Sequence, residues 1–237
     1  MDLQYADGAQ SCLGVLELPD EQAFPGPRPG IVVAHEAWGL GPHVRKRARM
    51  LAELGFVALA ADTFGNQHIP AGPPEAMRLI GDLAASPDVL RPRIVAAATA
   101  LAAHPRCDGR ILAIGYCFGG QTVLELARSG HADVLGVVSF HGALTTARPA
   151  QKGALRARIL VCHGAEDPVV PHEHLVGFLD EMAAAGADCQ TICYTGARHG
   201  FTNWQADGKV NASVIYHEPT DRRSWQAMQA FFAEILG

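Results

Sequence analysis

The stretch Ala113–Gln121, AIGYCFGGQ, carries the pattern on which the predicted fold depends. An apolar run, Ile111–Gly115, leads into a Gly-x-Cys-x-Gly-Gly turn, and Phe118–Ser129 follows with helical spacing. This order is typical of a strand, a tight turn and a helix, with Cys117 on the turn. A residue there is forced into a strained backbone conformation, so its neighbours must be small. The three flanking glycines meet that requirement.

Two interpretations of Cys117 follow from this turn alone. In the first, Cys117 is a nucleophile, and the positive end of the following helix favours its thiolate. In the second, the glycines allow close packing around an inert buried cysteine, since cysteine is among the most buried residue types. A nucleotide-binding loop is not indicated, because the Gly-x-Gly-x-x-Gly spacing and the Walker lysine are missing.

Short apolar runs alternate with helical segments on both sides of the turn. The predicted strands are Leu13–Leu18, Ile31–Ala34, Phe56–Ala60, Ile111–Gly115, Val134–Phe140, Ile159–Cys162 and Thr191–Tyr194. The predicted helices are His43–Leu54, Pro74–Leu83, Val89–Ala103, Phe118–Ser129, Pro171–Ala185 and Asp221–Leu236. Apolar strands between amphipathic helices indicate a mostly parallel central sheet with helices on both faces. We predict an α/β fold in a single domain, 1–237, because no linker or repeat interrupts this pattern.

Composition argues against several classes of function. The chain has 237 residues and a net charge of -5, so no electrostatic reason to bind nucleic acid is seen. The one basic run, Arg45–Arg49, is expected on the solvated face of a helix. The apolar stretches are shorter than the roughly 18 residues of a membrane span, and no signal-peptide pattern is visible. We therefore predict a cytoplasmic protein that binds neither nucleic acid nor membrane.

Cysteine and histidine spacing favours neither disulfides nor a metal site. The six cysteines form no Cys-x-x-Cys pair, and most are expected to be buried free thiols. They are Cys12, Cys107, Cys117, Cys162, Cys189 and Cys193. The run His172-Glu173-His174 lacks the His-Glu-x-x-His spacing of a zinc helix and reads as an exposed helix start. We expect neither a metal nor an organic cofactor.

Candidate partners of Cys117 follow later strands, at the sheet edge where open α/β folds bind ligands. Glu166 and Asp167 come after Ile159–Cys162, and the adjacent Pro168 favours Asp167 because it stiffens the loop. His199 comes after Thr191–Tyr194. The order nucleophile, acid, histidine is that of α/β-hydrolases. We predict that His199 takes the thiol proton while Asp167 orients it. A capping aspartate and a loop histidine bonded to backbone are the alternatives.

An oxyanion hole and a pocket complete the predicted site. Its backbone N–H donors would be those of Phe118, next to the nucleophile, and Ala37, after an early strand. Glu36 either holds the thiol protonated until substrate arrives or is a solvated loop residue. Four residues are candidates for the pocket wall, with packing or backbone bonding as the alternative: Trp38, Phe64, His141 and Trp204.

Five segments together resemble the dienelactone hydrolase family of the α/β-hydrolases. They are His35–Leu40 (HEAWGL), Ala61–Gly65 (ADTFG), Gly115–Gly120 (GYCFGG), His163–Asp167 (HGAED) and Ala197–Phe201 (ARHGF). The resemblance implies a compact single-domain hydrolase without a large cap and a Cys117–Asp167–His199 triad. It also implies oxyanion donors at Phe118 and Ala37, and a Glu36 carboxylate that pairs with the resting cysteine.

One departure from the family limits the expected substrate. The resemblance implies that family enzymes which open dienelactone bind the substrate carboxylate with arginines. One of these arginines lies four residues after the histidine, where this chain has Asn203. Arg78 is a candidate for the other. The sequence therefore predicts a hydrolase of small esters or lactones, a monomer or small homo-oligomer, with dienelactone itself doubtful. The alternatives are a thioesterase or general carboxylesterase with the same triad, and a non-catalytic binding or redox-sensing protein.

Overall fold

Eight strands form one sheet in the computed structural model, which describes residues 1–8 and 10–237. They are β1 (Asp2–Ala6), β2 (Ser11–Glu17), β3 (Arg28–Ala34), β4 (Val57–Ala61), β5 (Cys107–Tyr116), β6 (Val134–Phe140), β7 (Arg158–Gly164) and β8 (Cys189–Tyr194). Their order across the sheet is β1-β2-β4-β3-β5-β6-β7-β8. From β4 to β8 neighbouring strands are parallel, and β1 and β2 are antiparallel additions at one edge.

Helices cover both faces of this sheet. They are α1 (Pro42–Glu53), α2 (Pro73–Ala84), α3 (Pro87–Ala102), α4 (Phe118–Arg128), α5 (His172–Ala185) and α6 (Glu218–Leu236). On one face α1 and α6 contribute residues such as Leu51 and Phe232 to an apolar cluster with the strands. On the other face α3, α4 and α5 contribute residues such as Ile94, Val123 and Phe178. The predicted α/β class and its mostly parallel sheet are confirmed.

Element ends differ from the prediction where apolar periodicity is weak. The first strand, β1, was not predicted, because of its five residues only Tyr5 is buried. Strand β5 begins at Cys107 and not at Ile111, since its first four residues include the exposed Asp108 and Arg110. Both regions owe their extended conformation to pairing with a neighbouring strand, β2 for β1 and β3 for β5.

The basic run in α1 is not wholly solvated, which corrects the expectation from sequence. Arg47 is 1% exposed, whereas Lys46 and Arg49 are exposed. Arg47 lies three residues after Val44 and one helical turn before Leu51, so it falls on the buried stripe of the helix. Its guanidinium forms an ion pair with Asp221 of α6. A paired charge is tolerated in the core, and here it joins two helices on one face of the sheet.

The cysteines are all free thiols, but the expectation that most are buried was wrong. Cys12, Cys107 and Cys162 are buried; Cys117 and Cys189 are half-buried, and Cys193 is exposed. In the part of the chain that the structure describes, no helix is both long enough and apolar enough to span a bilayer.

Candidate active site

The tight turn between β5 and α4, here called the elbow, places Cys117 in a strained conformation. Its backbone has φ 55° and ψ -118°, a region that residues with side chains rarely adopt. A Cβ on Gly115 would collide with the backbone of Gly119, and a Cβ on Gly119 would collide with the backbone of Ala34 at the end of β3. The glycines therefore let the turn close and let α4 begin against the sheet.

An apolar cluster lies beside the half-buried Cys117 thiol. Phe64 and Phe118 stack with ring centroids 5.9 Å apart, and Leu79 and Ile80 of α2 pack against the same cluster. These two α2 residues were not predicted as part of the site. Their helical spacing with the buried Leu83 marks an inward-facing stripe, but nothing in the sequence places that stripe near Cys117.

Asp167 and His199 come from the loops after β7 and β8 and are joined by a hydrogen bond. The His199 Nδ1 atom lies 2.8 Å from Asp167 Oδ2. The other carboxylate oxygen of Asp167 accepts hydrogen bonds from the backbone N–H groups of Val169 (2.8 Å) and Val170 (3.1 Å). The neighbouring Glu166 is exposed and accepts from the Gly196 N–H. The geometry thus distinguishes the two adjacent carboxylates.

Charge around His199 favours its protonated form. Burial by itself lowers the pKa of His199, but the negative charge of Cys117 and the hydrogen bond to Asp167 outweigh it and raise the pKa to about 10. Its Nε2 atom is buried and has no hydrogen-bond partner of ordinary geometry within residues 1–8 and 10–237, so Cys117 acts on it mainly through charge. An ionised Cys117 and the Asp167 carboxylate therefore both favour the protonated imidazole.

The loop after β3 is held by His35. Its Nδ1 atom donates to the Glu36 carbonyl (2.7 Å), and its Nε2 atom accepts the Thr63 N–H (3.2 Å). Because a backbone N–H only donates, this pair of bonds requires neutral His35, and burial lowers the pKa of His35 in agreement. The bonds connect the turn that contains Ala37 to the loop after β4. His35 was quoted in the sequence motif but was not assigned a role.

Glu36 is engaged by residues other than the cysteine. Its Oε2 atom accepts the Asn203 Nδ2 hydrogen bond at 2.9 Å and lies 3.4 Å from His43 Nδ1. Among the described residues no hydrogen bond joins Glu36 to Cys117. The carboxylate borders a cavity of about 160 Å³, here called the Glu36 cavity. Its lining comprises Glu36, Trp38, Gly39, Gly41, Pro42, His43, Val44, Asn203 and Gln205.

Three of the six predicted pocket residues lie outside both the apolar cluster and the Glu36 cavity. Arg78 is exposed on α2 and pairs with Asp82 at 3.0 Å. The Trp204 ring lies under the guanidinium of Arg47, 4.2 Å away, and packs on α1. His141 has no exposed surface, and its Nδ1 atom accepts the backbone N–H of Cys117 at 3.1 Å. Phe64, Trp38 and Asn203 do lie in the apolar cluster or the Glu36 cavity.

Comparison with known proteins identifies the family of this chain. The chain matches the sequence profile of the Dienelactone hydrolase family over residues 13–236. It belongs to the dienelactone hydrolase family. This family member is 40% identical to a solved structure named m3DLH, with a TM-score of 0.93 over 99% of this chain and 97% of the other.

Two further relatives of this dienelactone hydrolase family member are named for different activities. A dienelactone hydrolase-like promiscuous phosphotriesterase, P91, from metagenomic libraries is 38% identical, with a TM-score of 0.91, covering 99% of this chain and 97% of that one. A Salmonella typhimurium protein provisionally named carboxymethylenebutenolidase is 26% identical over 98% of this chain and 90% of its own length. These similarities therefore establish the family, but membership of the family does not specify the substrate.

Proposed function

We propose that this member of the dienelactone hydrolase family hydrolyses small ester or lactone bonds with Cys117 as nucleophile, His199 as acid and base, and Asp167 as the group that orients His199. The observation that carries the proposal is the 2.8 Å bond between His199 Nδ1 and Asp167 Oδ2, which directs Nε2 away from the carboxylate. The raised pKa of His199 next to Cys117 supports a resting pair of thiolate and imidazolium.

In the first half of the reaction the Cys117 thiolate attacks the carbonyl carbon and a carbon–sulfur bond forms. The oxyanion accepts hydrogen bonds from the backbone N–H groups of Phe118, at the first turn of α4, and Ala37. The carbon–oxygen bond then breaks, and His199 Nε2 gives its proton to the leaving alkoxide. This leaves a thioester on Cys117 and neutral His199.

In the second half water attacks the thioester carbonyl. Neutral His199 takes one proton from that water, and the carbon–sulfur bond breaks with its electron pair returning to Cys117. The acid is released, and the thiolate–imidazolium pair is restored. Because the proton already resides on His199 at rest, the initial proton transfer that a serine hydrolase needs is not required here.

The substrates we propose carry no negative charge on the part that enters the Glu36 cavity. The Glu36 cavity has a carboxylate in its wall and neither lysine nor arginine among its lining residues. Asn203, at the position where the family resemblance leads us to look for an arginine, donates to Glu36 at 2.9 Å. A substrate carboxylate in this cavity would face a like charge without a compensating cation.

A second candidate activity is phosphotriester hydrolysis, which the likeness to the promiscuous phosphotriesterase P91 favours. A phosphotriester is uncharged, so it meets the same requirement of the Glu36 cavity. Thioester or general carboxylester hydrolysis would use the same residues, and with a thioester the leaving group is a thiolate in place of an alkoxide. A cytoplasmic location and a monomer or small homo-oligomer remain predictions from sequence.

The test is a substrate screen with matched cysteine variants. Small lactones, aryl esters, thioesters and aryl phosphotriesters are offered to wild type, Cys117→Ala and Cys193→Ala, the last replacing an exposed thiol. We expect activity in wild type and Cys193→Ala and its loss in Cys117→Ala. Activity that persists in Cys117→Ala contradicts the proposal. Absence of any turnover, together with reversible oxidation of Cys117, would instead support the redox-sensing alternative.

A further inference from the structure

We propose that His141 is a positioning residue that connects the Cys117 elbow to the loop carrying His199, residues 195–203. Its ring spans the two parts of the site. The backbone N–H of Cys117 is shared between His141 Nδ1 and the Phe140 carbonyl oxygen, each at 3.1 Å, and His141 Nε2 lies 2.8 Å from the Thr202 hydroxyl oxygen. The inference rests on the proposed function, since it concerns the nucleophile and histidine of that mechanism.

The hydrogen-bond directions are determined by the Cys117 backbone. An N–H group can only donate, so Nδ1 of His141 carries no proton. The single ring proton is therefore on Nε2, from which it is donated to Thr202 Oγ1. Full burial, followed by repulsion from the adjacent His199, holds the pKa of His141 well below its ordinary value. His141 is a neutral connector with a defined tautomer.

The position of the His141 ring is itself constrained. Its backbone N–H donates to the Cys162 carbonyl at the end of β7 (2.9 Å). Its φ of 41° is unusual for a residue with a side chain. The ring packs edge-on against Phe201 and against His199, with centroids 5.0 and 5.1 Å away. A strained backbone, retained by surrounding contacts, is a common mark of a functional position.

Thr202 is fixed from its other side, so it can serve as the anchor for His141. The Thr202 carbonyl accepts a hydrogen bond from the Arg47 guanidinium at 2.9 Å and lies 3.1 Å from His43 Nε2. Arg47 is itself paired with Asp221 of α6. The His199 loop is thus held to α1 and α6 by its backbone and to the elbow by His141.

Through these bonds His141 fixes the position of Cys117 relative to His199. Cys117 and His199 belong to different loops, 82 residues apart in sequence (199 minus 117). Asp167 sets the rotation of His199, but it does not touch the elbow. The His141 ring is a direct side-chain connection between the Cys117 backbone and the loop of His199. A neutral ring is required here, because a charged one would repel the adjacent His199 imidazolium.

The experiment compares disruptive and conservative variants at both ends of the connection. His141→Leu removes both hydrogen bonds, whereas His141→Asn keeps an acceptor for the Cys117 N–H and tolerates positive φ. Thr202→Val removes the hydroxyl at constant size, and Thr202→Ser restores it. The readouts are kcat and KM on an aryl ester, thermal unfolding, and the rate at which iodoacetamide labels Cys117. Labelling is quantified by peptide mass spectrometry with the exposed Cys193 as internal reference.

We expect His141→Leu and Thr202→Val to lower kcat by about tenfold or more. KM should change by less than about twofold in these variants. Cys117 labelling should slow in the same variants and return toward wild type in His141→Asn and Thr202→Ser. Folded His141→Leu and Thr202→Val proteins with wild-type kcat and labelling would overturn the inference. If His141→Leu does not fold, the kcat and labelling rate of Thr202→Val, compared with those of Thr202→Ser, test the inference. If wild type hydrolyses no ester, the proposed function fails, and the labelling rates still test the connection.

Discussion

The Asp167 carboxylate holds His199 with one oxygen, at 2.8 Å from Nδ1, and two backbone N–H groups with the other. The second set of bonds prevents rotation of the carboxylate. His199 is therefore oriented by a group that is itself fixed, which is the arrangement that acyl-transfer enzymes use for their acid–histidine pairs.

Replacing Asp167 by Asn should lower kcat by about a thousandfold with little change in fold. The amide oxygen can still accept the N–H groups of Val169 and Val170, which leaves the amide N–H₂ facing His199 Nδ1. His199 must then either carry its proton on Nε2 only or rotate. The imidazolium also loses the negative charge of the carboxylate that stabilises it. The adjacent Glu166→Gln, an exposed carboxylate, is the control, and steady-state kinetics on one aryl ester measure both. Equal loss in the two variants would contradict the assignment of Asp167.

The raised pKa of His199 predicts a leaving-group-dependent pH profile. Its pKa of about 10 lies above the ordinary value of about 6.5, so the proton is retained through neutral pH and lost as pH rises through 10. Alkyl esters need that proton for departure of the alkoxide, and their kcat should fall above pH 10. Nitrophenyl esters leave without protonation and should lack this decline. Identical profiles for both substrates above pH 9 would argue against His199 as the acid.

The source of the raised pKa can be tested separately by nuclear magnetic resonance. The negative charge of Cys117 is the largest influence that raises the pKa of His199, ahead of Asp167. Cys117→Ser removes that charge and should lower the pKa of His199, so that its ring resonances titrate at lower pH than in wild type. The stabilisation from the protonated ring would then be lost at a correspondingly lower pH. An unchanged titration would show that the two side chains do not interact.

The charge of the Glu36 cavity should set preference between neutral and anionic acyl groups. Wild type should hydrolyse a nitrophenyl butyrate faster than the nitrophenyl monoester of succinate, which has a carboxylate at the far end of the acyl chain. Glu36→Gln should narrow the ratio of the two kcat/KM values by about tenfold, since a like charge is removed. Asn203→Arg should narrow it further. The ratio is the measurement, so a general loss of activity does not affect the conclusion.

Breaking the buried Arg47–Asp221 pair should destabilise the protein strongly. Arg47→Met leaves Asp221 without its partner in the core, which costs about 3–5 kcal/mol in the free energy of unfolding. Arg49→Met, on the exposed side of the same helix, should change it by less than about 0.5 kcal/mol. Urea denaturation measures both. A small effect at position 47 would mean that the pair contributes little to holding α1, α6 and Thr202 together.

Local patterns in the chain determined the fold class and the elements that carry the site. Apolar periodicity of two or 3.6 residues is set by backbone geometry, so alternating strands and helices are readable without tertiary contacts. The glycines around Cys117 are readable for the same reason, since the elbow is a local conformation. The order of Cys117, Asp167 and His199 along the chain also needed no structure, because each follows a predicted strand.

Only tertiary structure decided which side chains meet. Glu36 binds Asn203 across 167 positions of sequence, and Arg47 binds Asp221 across 174. Neither pairing has a local signal, because a hydrogen bond depends on atoms brought within about 3 Å by packing of separate elements. The same holds for His141, whose sequence neighbours left open whether it borders a pocket or bonds the backbone. Its link to the elbow exists because the ends of β5 and β6 are adjacent in the sheet.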